Sequence, residues 1–200
     1  VIRRLIKRLR RSRRGSTLIE FAMVAPVLMV VIMGLLDMSY RLYAKSMLEG
    51  AVQKAARDST LESGATGAAN ATIDGNVKTT FESVNGSVTD SSFTFTRRNF
   101  STFTSAGAME PSTGPGGQCA PGYTYVDINN NNSWDDGGID GQGGANDATL
   151  YTVQVNYKSL FPINALFGGP ATQTIRSTTV LRNQPYSNQA TRAAGPTRNC

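Results

Sequence analysis

The sequence predicts an α+β fold: a long N-terminal helix, transmembrane in its first half and amphipathic in its second, packed on a small antiparallel sheet. Three observations carry this expectation. An uncharged apolar run follows a block of basic residues near the N-terminus. A stripe of apolar and small residues continues past that run at helical spacing. The rest of the chain holds short alternating segments between Gly-, Pro- and Asn-rich stretches, the pattern of strands and loops.

Residues 1–15 form a basic leader. Eight cationic side chains, Arg3, Arg4, Lys7, Arg8, Arg10, Arg11, Arg13 and Arg14, alternate there with Val1, Ile2, Leu5, Ile6 and Leu9. Such a block reads as a positive-inside signal that keeps the N-terminus in the cytoplasm, a reading favoured over, though compatible with, a basic amphipathic helix on an anionic membrane surface. It also accounts for the whole basic balance. The chain carries a formal net charge of +6, but without the leader Lys+Arg falls to 12 against 14 acids, a net −2. A nucleic-acid reader keeps its basic patch on the folded domain, so no nucleic acid is expected as a partner. Histidine is absent, which excludes imidazole acid–base chemistry and a Ser-His-Asp triad.

Residues 16–36 are the transmembrane segment, about 21 positions and long enough to span roughly 30 Å of hydrocarbon. A cleaved secretory signal would have a shorter core and a small-residue cleavage site at its C-terminal end. This run instead ends in Leu-Leu-Asp-Met-Ser-Tyr. Pro26 and Gly34 are tolerated in membrane helices. Residues 37–63 extend the same helix. Leu36, Tyr40, Tyr43, Met47, Ala51 and Ala55 recur at spacings of three and four and mark one narrow face. Tyr40 and Tyr43 fall where an interfacial aromatic belt would lie, and Glu62-Ser63-Gly64 reads as a stop. The whole helix is expected to run for roughly 45 residues, about 65 Å.

Residues 64–186 form the folded domain. Ala69, Ile73, Val77, Phe81 and Val84 predict a second helix over 68–84, weakened by Gly75, before a turn at Asn85-Gly86. Phe93 and Phe95 alternate with Thr94 and Thr96 in a strand. Residues 105–122, with Pro111, Pro115 and Pro121, are loop. A short strand follows over 123–128, then an Asn/Gly/Asp-rich loop over 129–146. Strands are expected at 150–157 and 172–181. Between them, 159–170 is a turn or short helix carrying Leu160, Phe161, Ile163, Leu166 and Phe167. The polar tail, 187–200, is expected to be flexible.

The lone carboxylate in the anchor is Glu20. A charge at bilayer depth costs about 2.5–3.5 kcal/mol on insertion scales, so an acid there is a functional candidate. Its flanks, Arg13-Arg14-Gly15-Ser16-Thr17-Leu18-Ile19-Glu20-Phe21, resemble the processing site of type IV prepilins. That resemblance implies cleavage between Gly15 and Ser16. The new ammonium of Ser16 would then pair with the Glu20 carboxylate of a neighbouring subunit, since an unpaired carboxylate in apolar surroundings is costly. The alternative is a plain signal anchor whose Glu20 snorkels to the headgroups. The run Glu-Phe-Ala-Met-Val-Ala-Pro-Val-Leu (20–28), with Gly34, Ala44, Ala51 and Ala55-Ala56-Arg57, resembles the TadE-like minor pilins, or pseudopilins, of the tight-adherence (Flp) pilus. Arg182-Asn183-Gln184-Pro185-Tyr186 is similar to their C-terminal ending, with Gln184 where Glu is more usual. The resemblance covers 13–57 well and 150–186 loosely; the middle, 65–148, matches no pattern.

The resemblance implies a pilin-like fold and a single-pass bacterial inner-membrane protein. Its N-terminus is cytoplasmic and its C-terminal domain periplasmic, with the chance of incorporation into a surface pilus. Its implied partners are other pilins or pseudopilins through the N-terminal helix, a prepilin peptidase, the inner-membrane pilus platform and the membrane itself. No enzymatic activity is expected. The rival readings are a permanently anchored extracytoplasmic adhesin or binding protein and, less favoured, a membrane-anchored periplasmic hydrolase.

Two further constellations stand out. Asp127-Ile-Asn129-Asn-Asn131-Asn-Ser133-Trp-Asp135-Asp136 resembles a DxDxDGxxD calcium loop. Asp127, Asn129, Asn131 and Asp135 would be side-chain ligands, Ser133 would offer its carbonyl, and Asp136 or Asp140 would complete the six to eight oxygens calcium takes. Asn stands at two positions where Asp is usual, and Asn132 where Gly is preferred, although Asn also tolerates left-handed geometry. The alternative is a surface loop held by its own Asx turns. No cofactor is required, and calcium is the one candidate. Cys119 and Cys200 are the only cysteines. They can form one disulfide in an oxidising compartment if they meet.

Overall fold

The computed structural model describes residues 16–61, 67–83, 92–159, 161, 168–185 and 192–200. The expected leader with Gly15, the Asn85-Gly86 turn, Val84, Tyr186 and the apolar residues Leu160, Ile163, Leu166 and Phe167 lie outside these residues. So does the side chain of Ser16. The chain divides into two compact units, Val1–Leu42 with Ser159–Ala171, and Tyr43–Lys158 with Thr172–Cys200.

Helix α1 runs unbroken over Ser16–Ser59, 44 residues, through Pro26. Its length matches the expected single helix. In the first unit its apolar side chains lie on the surface: Leu18, Phe21, Met23, Val24, Val27 and Leu35 are all exposed, Met23 at 77%. Among the described residues this is the one helix long and apolar enough to cross a membrane. Apolar surface on this scale is unfavourable in water and favourable in lipid.

In the second unit α1 continues as a core element. The buried stripe is Ala44, Leu48, Val52, Ala55, Ala56 and Ser59. It is shifted one position from the expected stripe: Tyr43 is 54% exposed, and Met47 and Ala51 are half-buried. Spacings of four and three admit both stripes, which lie side by side on the helix. The stripe with Leu48 and Val52 buries larger branched side chains, while Ala44, Ala55 and Ala56 fill little space. Helix α2, Gly67–Glu82, lies beside α1. A groove between them is lined by Ala51, Lys54, Ala55, Ile73, Val77 and Thr80. Its expected apolar face, Ile73, Val77 and Phe81, is buried.

Among the described residues six strands follow: β1 Phe93–Phe100, β2 Thr124–Val126, β3 Ile139–Asp140, β4 Ala148–Lys158, β5 Thr172–Arg182 and β6 Thr197–Asn199. Four of them form an antiparallel sheet in the order β3-β1-β4-β5. β4 is the centre. Phe93 pairs with Val155 and Phe100 with Ala148 on one side; Ala148 pairs with Arg182 and Lys158 with Thr172 on the other. Tyr151, Val153, Val155, Tyr157 and Ile175 are buried, and alternation puts them on one face. The ring of α2 Phe81 packs edge-on to Phe93 and Tyr157, with centroids 6.0 and 6.3 Å apart.

One polar cluster fixes α2 to this face. Arg97 makes a two-pronged contact with Asp74, at 2.9 and 2.6 Å, and the Tyr151 hydroxyl donates to the same carboxylate at 2.6 Å. The guanidinium lies 4.4 Å from the Tyr151 ring centroid. Burial, then the Asp74 hydrogen bond and charge, push the Tyr151 phenol far above its ordinary pKa, so it stays a donor.

Two expectations need correction. The short strand near 123–128 does not join the main sheet; β2 pairs with β6 in a ribbon of its own. β6 lies in the tail expected to be flexible. Composition marks that tail as polar, but Thr197–Asn199 are ordered by pairing with distant residues, which a local pattern does not carry.

The α1 stripe generates a direct test. Leu48 is completely buried, so Leu48→Ala is expected to destabilise the second unit by about 2–5 kcal/mol. Urea unfolding followed by tyrosine and tryptophan fluorescence measures this; Tyr43→Ala, on the flank, should change much less.

Candidate functional site

Two places carry the sequence-derived candidates. At the N-terminal one, α1 begins at Ser16, immediately after the expected cut. Glu20 and Phe21 occupy its second turn, both exposed, Phe21 at 68%. Gly15 itself lies outside the described residues.

The second place is the loop 127–136. Its backbone turns sharply at Asn130 and Asn132, with φ of 56° and 63°, left-handed conformations that Asn adopts more readily than most residues. This folds the loop back on Asp127. The Asp127 carboxylate, fully buried, accepts the N–H groups of Asn131 and Asn132 at 3.0 and 2.9 Å. Asn131 N–H also reaches Asn129 Oδ1, and Ser133 N–H reaches Asn131 Oδ1 at 2.7 Å. The side-chain amides of Asn129 and Asn131 donate to the two oxygens of Asp135 at 3.0 and 2.7 Å. Asp127, Asn129, Asn131 and Asp135 are therefore brought together, as the spacing predicts. The Asx turns of the alternative reading are present too.

Arginines supply the countercharge. Arg198 on β6 pairs with Asp127 and donates to Asn130. Arg98 pairs with Asp136 at 2.6 Å and approaches Asp135 at 3.7 Å. Asp136 is thus turned toward Arg98, and Asp140 sits on β3 opposite Arg98. Among the described residues no three His, Cys, Asp or Glu side chains form a metal-holding group. Side-chain oxygens for a hard cation are present, but the carboxylates are satisfied by arginine and amide donors. An ion here would have to displace Arg198 from Asp127.

Sequence reading missed the clamp beneath this loop. Glu110 is 1% exposed. Its carboxylate accepts Ile128 N–H at 2.6 Å and Asp135 N–H at 3.4 Å. Its backbone N–H bonds Asp135 O at 2.8 Å, and its carbonyl accepts the Trp134 indole N–H at 2.9 Å. Glu110 ties both ends of the loop to one point. It sits in a Pro/Gly-rich stretch without periodicity, so nothing local signals it.

The C-terminal segment closes over the same region. Asp127 N–H donates to Pro196 O at 2.9 Å, and Cys200 N–H to Tyr123 O at 2.9 Å. Gly195 passes so close to the Asp127 carbonyl that a Cβ would collide with it. Arg192 reaches Asp147 at 2.9 Å and also binds Asn99 Oδ1. Cys119 and Cys200, 81 residues apart, are joined in a disulfide with their Cα atoms 5.4 Å apart.

With this geometry in view, the family model described as TadE-like protein matches residues 15–57. The matched segment begins one residue before α1 and ends two residues before its last. No curated protein and no solved structure matches this chain.

The loop has a pH signature. Burial raises the Asp127 pKa, but the Asn132 N–H, the Arg198 ion pair and the Asn131 N–H outweigh it and hold it below the usual carboxylate value. For Asp135, burial is likewise outweighed, by the Gly137 N–H, the Asn131 amide, the Arg98 charge and the Asn129 amide. With folded values depressed, the stability these groups contribute is complete above the ordinary 3.8 and is lost as pH falls through the folded values. Thermal melts should show Tm falling as pH drops below about 4. Asp127→Asn should lower Tm at neutral pH and flatten the acid limb; a wild-type Tm level down to about pH 2 would contradict this account.

Proposed function

We propose that this chain is a minor pilin or pseudopilin for assembly of a tight-adherence (Flp) pilus. The observation that supports it most is the coincidence of the TadE-like match, residues 15–57, with one continuous helix whose first-unit side chains are exposed and apolar. On this reading α1 anchors the protein in the bacterial inner membrane. The leader stays in the cytoplasm and the domain lies in the periplasm. The role is structural, in a cell-surface adhesion and secretion-related system, and not enzymatic.

The mechanism follows from charge and geometry. A prepilin peptidase cuts between Gly15 and Ser16, where the basic leader meets the apolar helix. Cleavage removes the cationic block and creates an ammonium at Ser16. Glu20 lies four residues beyond that ammonium, about one helical turn away. In the apolar surroundings of packed helices, its carboxylate pairs with the Ser16 ammonium of a neighbouring pilin and sets the register between subunits. The periplasmic domain then presents its surfaces to other pilins and to the inner-membrane platform.

A second reading concerns the loop. The convergence of Asp127, Asn129, Asn131 and Asp135 favours weak calcium binding of the extracellular type, around 10⁻⁴–10⁻³ M. Arg198 would leave Asp127 as the ion enters.

N-terminal sequencing of membrane-extracted protein tests the main reading: the chain is expected to start at Ser16. An intact leader would favour a permanently anchored adhesin or binding protein, and a start elsewhere would sink the processing step. Glu20→Ala should leave cleavage intact and abolish piliation; normal piliation in that variant would refute the pairing role.

For the loop, about 10 mM calcium is expected to raise Tm relative to a chelator control, as a ligand that binds only the folded state does. An unchanged Tm removes calcium from the reading.

A further inference from the structure

The two edges of the main sheet are unlike. One ends in β3, two residues long. The other is β5, eleven residues long. Short edges resist pairing with other chains, and long ones invite it.

The direction of the β5 peptide groups can be read from the ends of its ladder. Ser159 N–H donates to Ala171 O at 3.1 Å, and Asn183 N–H to Asp147 O at 2.9 Å. Both pairs belong to the same antiparallel register as Lys158–Thr172 and Ala148–Arg182. Hydrogen-bonded pairs alternate with non-bonded ones in such a ladder. The odd-numbered residues of β5 therefore bond to β4. Thr172, Thr174, Arg176, Thr178, Val180 and Arg182 turn their N–H and C=O groups outward. Among the described residues no strand pairs with that edge, and no other backbone hydrogen bond reaches it. Apart from half-buried Val180, these residues also carry exposed side chains.

Natural edges are blunted by proline, bulges or charge. β5 holds no proline and pairs with β4 without a bulge over its full length. Its only charges are Arg176 and Arg182, and Lys158 stands opposite its first residue. None of these three cations meets a carboxylate among the described residues. Arg97, Arg98, Arg192 and Arg198 each do. Beside the edge runs a groove of about 220 Å³, walled by Lys45, Glu49 and Gln53 of α1 and by Arg176–Thr179.

We propose that the outer edge of β5 accepts an extended, carboxylate-bearing strand of a partner protein, which becomes the fifth strand of the sheet. Main-chain hydrogen bonds supply the pairing and charge supplies the choice of partner. Arg176 and Arg182 lie six residues apart, so they project from the same face, and acids at the same spacing on the incoming strand would answer both. A second copy of β5 is a poor occupant, because it brings the same two arginines and no acid. This inference does not depend on the pilus assignment: it fails or holds at β5, whereas that assignment is tested at Ser16.

The test uses the full chain in lipid nanodiscs and a fluorescein-labelled synthetic peptide, Thr-Glu-Val-Thr-Val-Thr-Val-Glu-Thr, blocked at both ends. Its glutamates are six positions apart. Saturable binding by anisotropy is expected, weakening at high salt, with the peptide carrying Lys in place of both Glu at least about tenfold weaker. Thr178→Pro removes an outward N–H without touching the β4 ladder, a change edges tolerate. It should weaken binding about tenfold or more, with only a small fall in Tm from the lost Thr178–Thr152 side-chain hydrogen bond. Hydrogen exchange at the amides of Thr174, Arg176 and Thr178 should slow when the peptide is present. Should Thr178→Pro fail to fold, Arg176→Glu with Arg182→Glu serves instead and is expected to reverse the preference toward the Lys peptide.

No saturable binding of the Glu peptide, equal binding of the Lys peptide, or indifference to these variants overturns the proposal. So does a dimer in which the same amides are already protected without peptide, which would make a second copy the occupant.

Discussion

A single helix presents two kinds of surface, and the rest of the chain is arranged around that constraint. Between Ser16 and Leu42 the helix presents large apolar side chains on its surface. Its backbone hydrogen bonds are internal, which is what allows a segment to leave water for lipid. From Tyr43 onward the same helix buries a narrow stripe of Ala44, Leu48, Val52, Ala55 and Ala56 and leaves Lys45, Glu49, Lys54 and Arg57 outside. The helix runs continuously over Ser16–Ser59; what changes along it is the composition around the circumference.

Away from the helices and the sheet, order in the second unit is polar. The stretch from 101 to 147 has little apolar periodicity, yet it is folded by carboxylates that each find an arginine or a cluster of N–H donors. Glu110 gathers Ile128 and Asp135. Asp127 gathers Asn131, Asn132 and Arg198. Asp147 gathers Gly144 and Arg192. At the end of α1, Gln142 donates to Ser59 O and to Asn183 Oδ1, and Asn183 donates back to Gln142 O and Gly144 O. Buried polar groups cost free energy unless they are paired. A network that pairs most of these groups, with Gln142 Oε1 an exception, therefore specifies one arrangement of the loops where hydrophobic packing does not.

Much of the fold was legible because it is periodic. The apolar run, the Ile73–Val77–Phe81 face and the alternation in β1, β4 and β5 are local signals, and each became the expected element. The α1 stripe was displaced by one residue because spacing alone does not rank two adjacent faces; the fold buries the one with Leu48 and Val52. β3, β6 and the separate β2–β6 ribbon were not legible. Their pairing partners lie far away in sequence, and strands of two or three residues carry no pattern of their own. At the loop, the spacing of Asp127, Asn129, Asn131 and Asp135 did foretell their convergence. That Arg198 and Glu110 complete it was invisible, since each is a single charged residue in unpatterned chain.

By itself the sequence determined the long apolar helix, the order of the main elements and the acidic balance of the residues after Gly15. These follow from composition and from short-range spacing, where the physics is one of turns, faces and nearby charges. Only the tertiary structure decided which carboxylate meets which arginine, that Cys119 reaches Cys200, that Thr197–Asn199 of the polar tail pair with β2, and that β5 is left as a long outer edge. Those outcomes depend on residues brought together from distant parts of the chain, and long-range geometry is what a linear pattern does not contain.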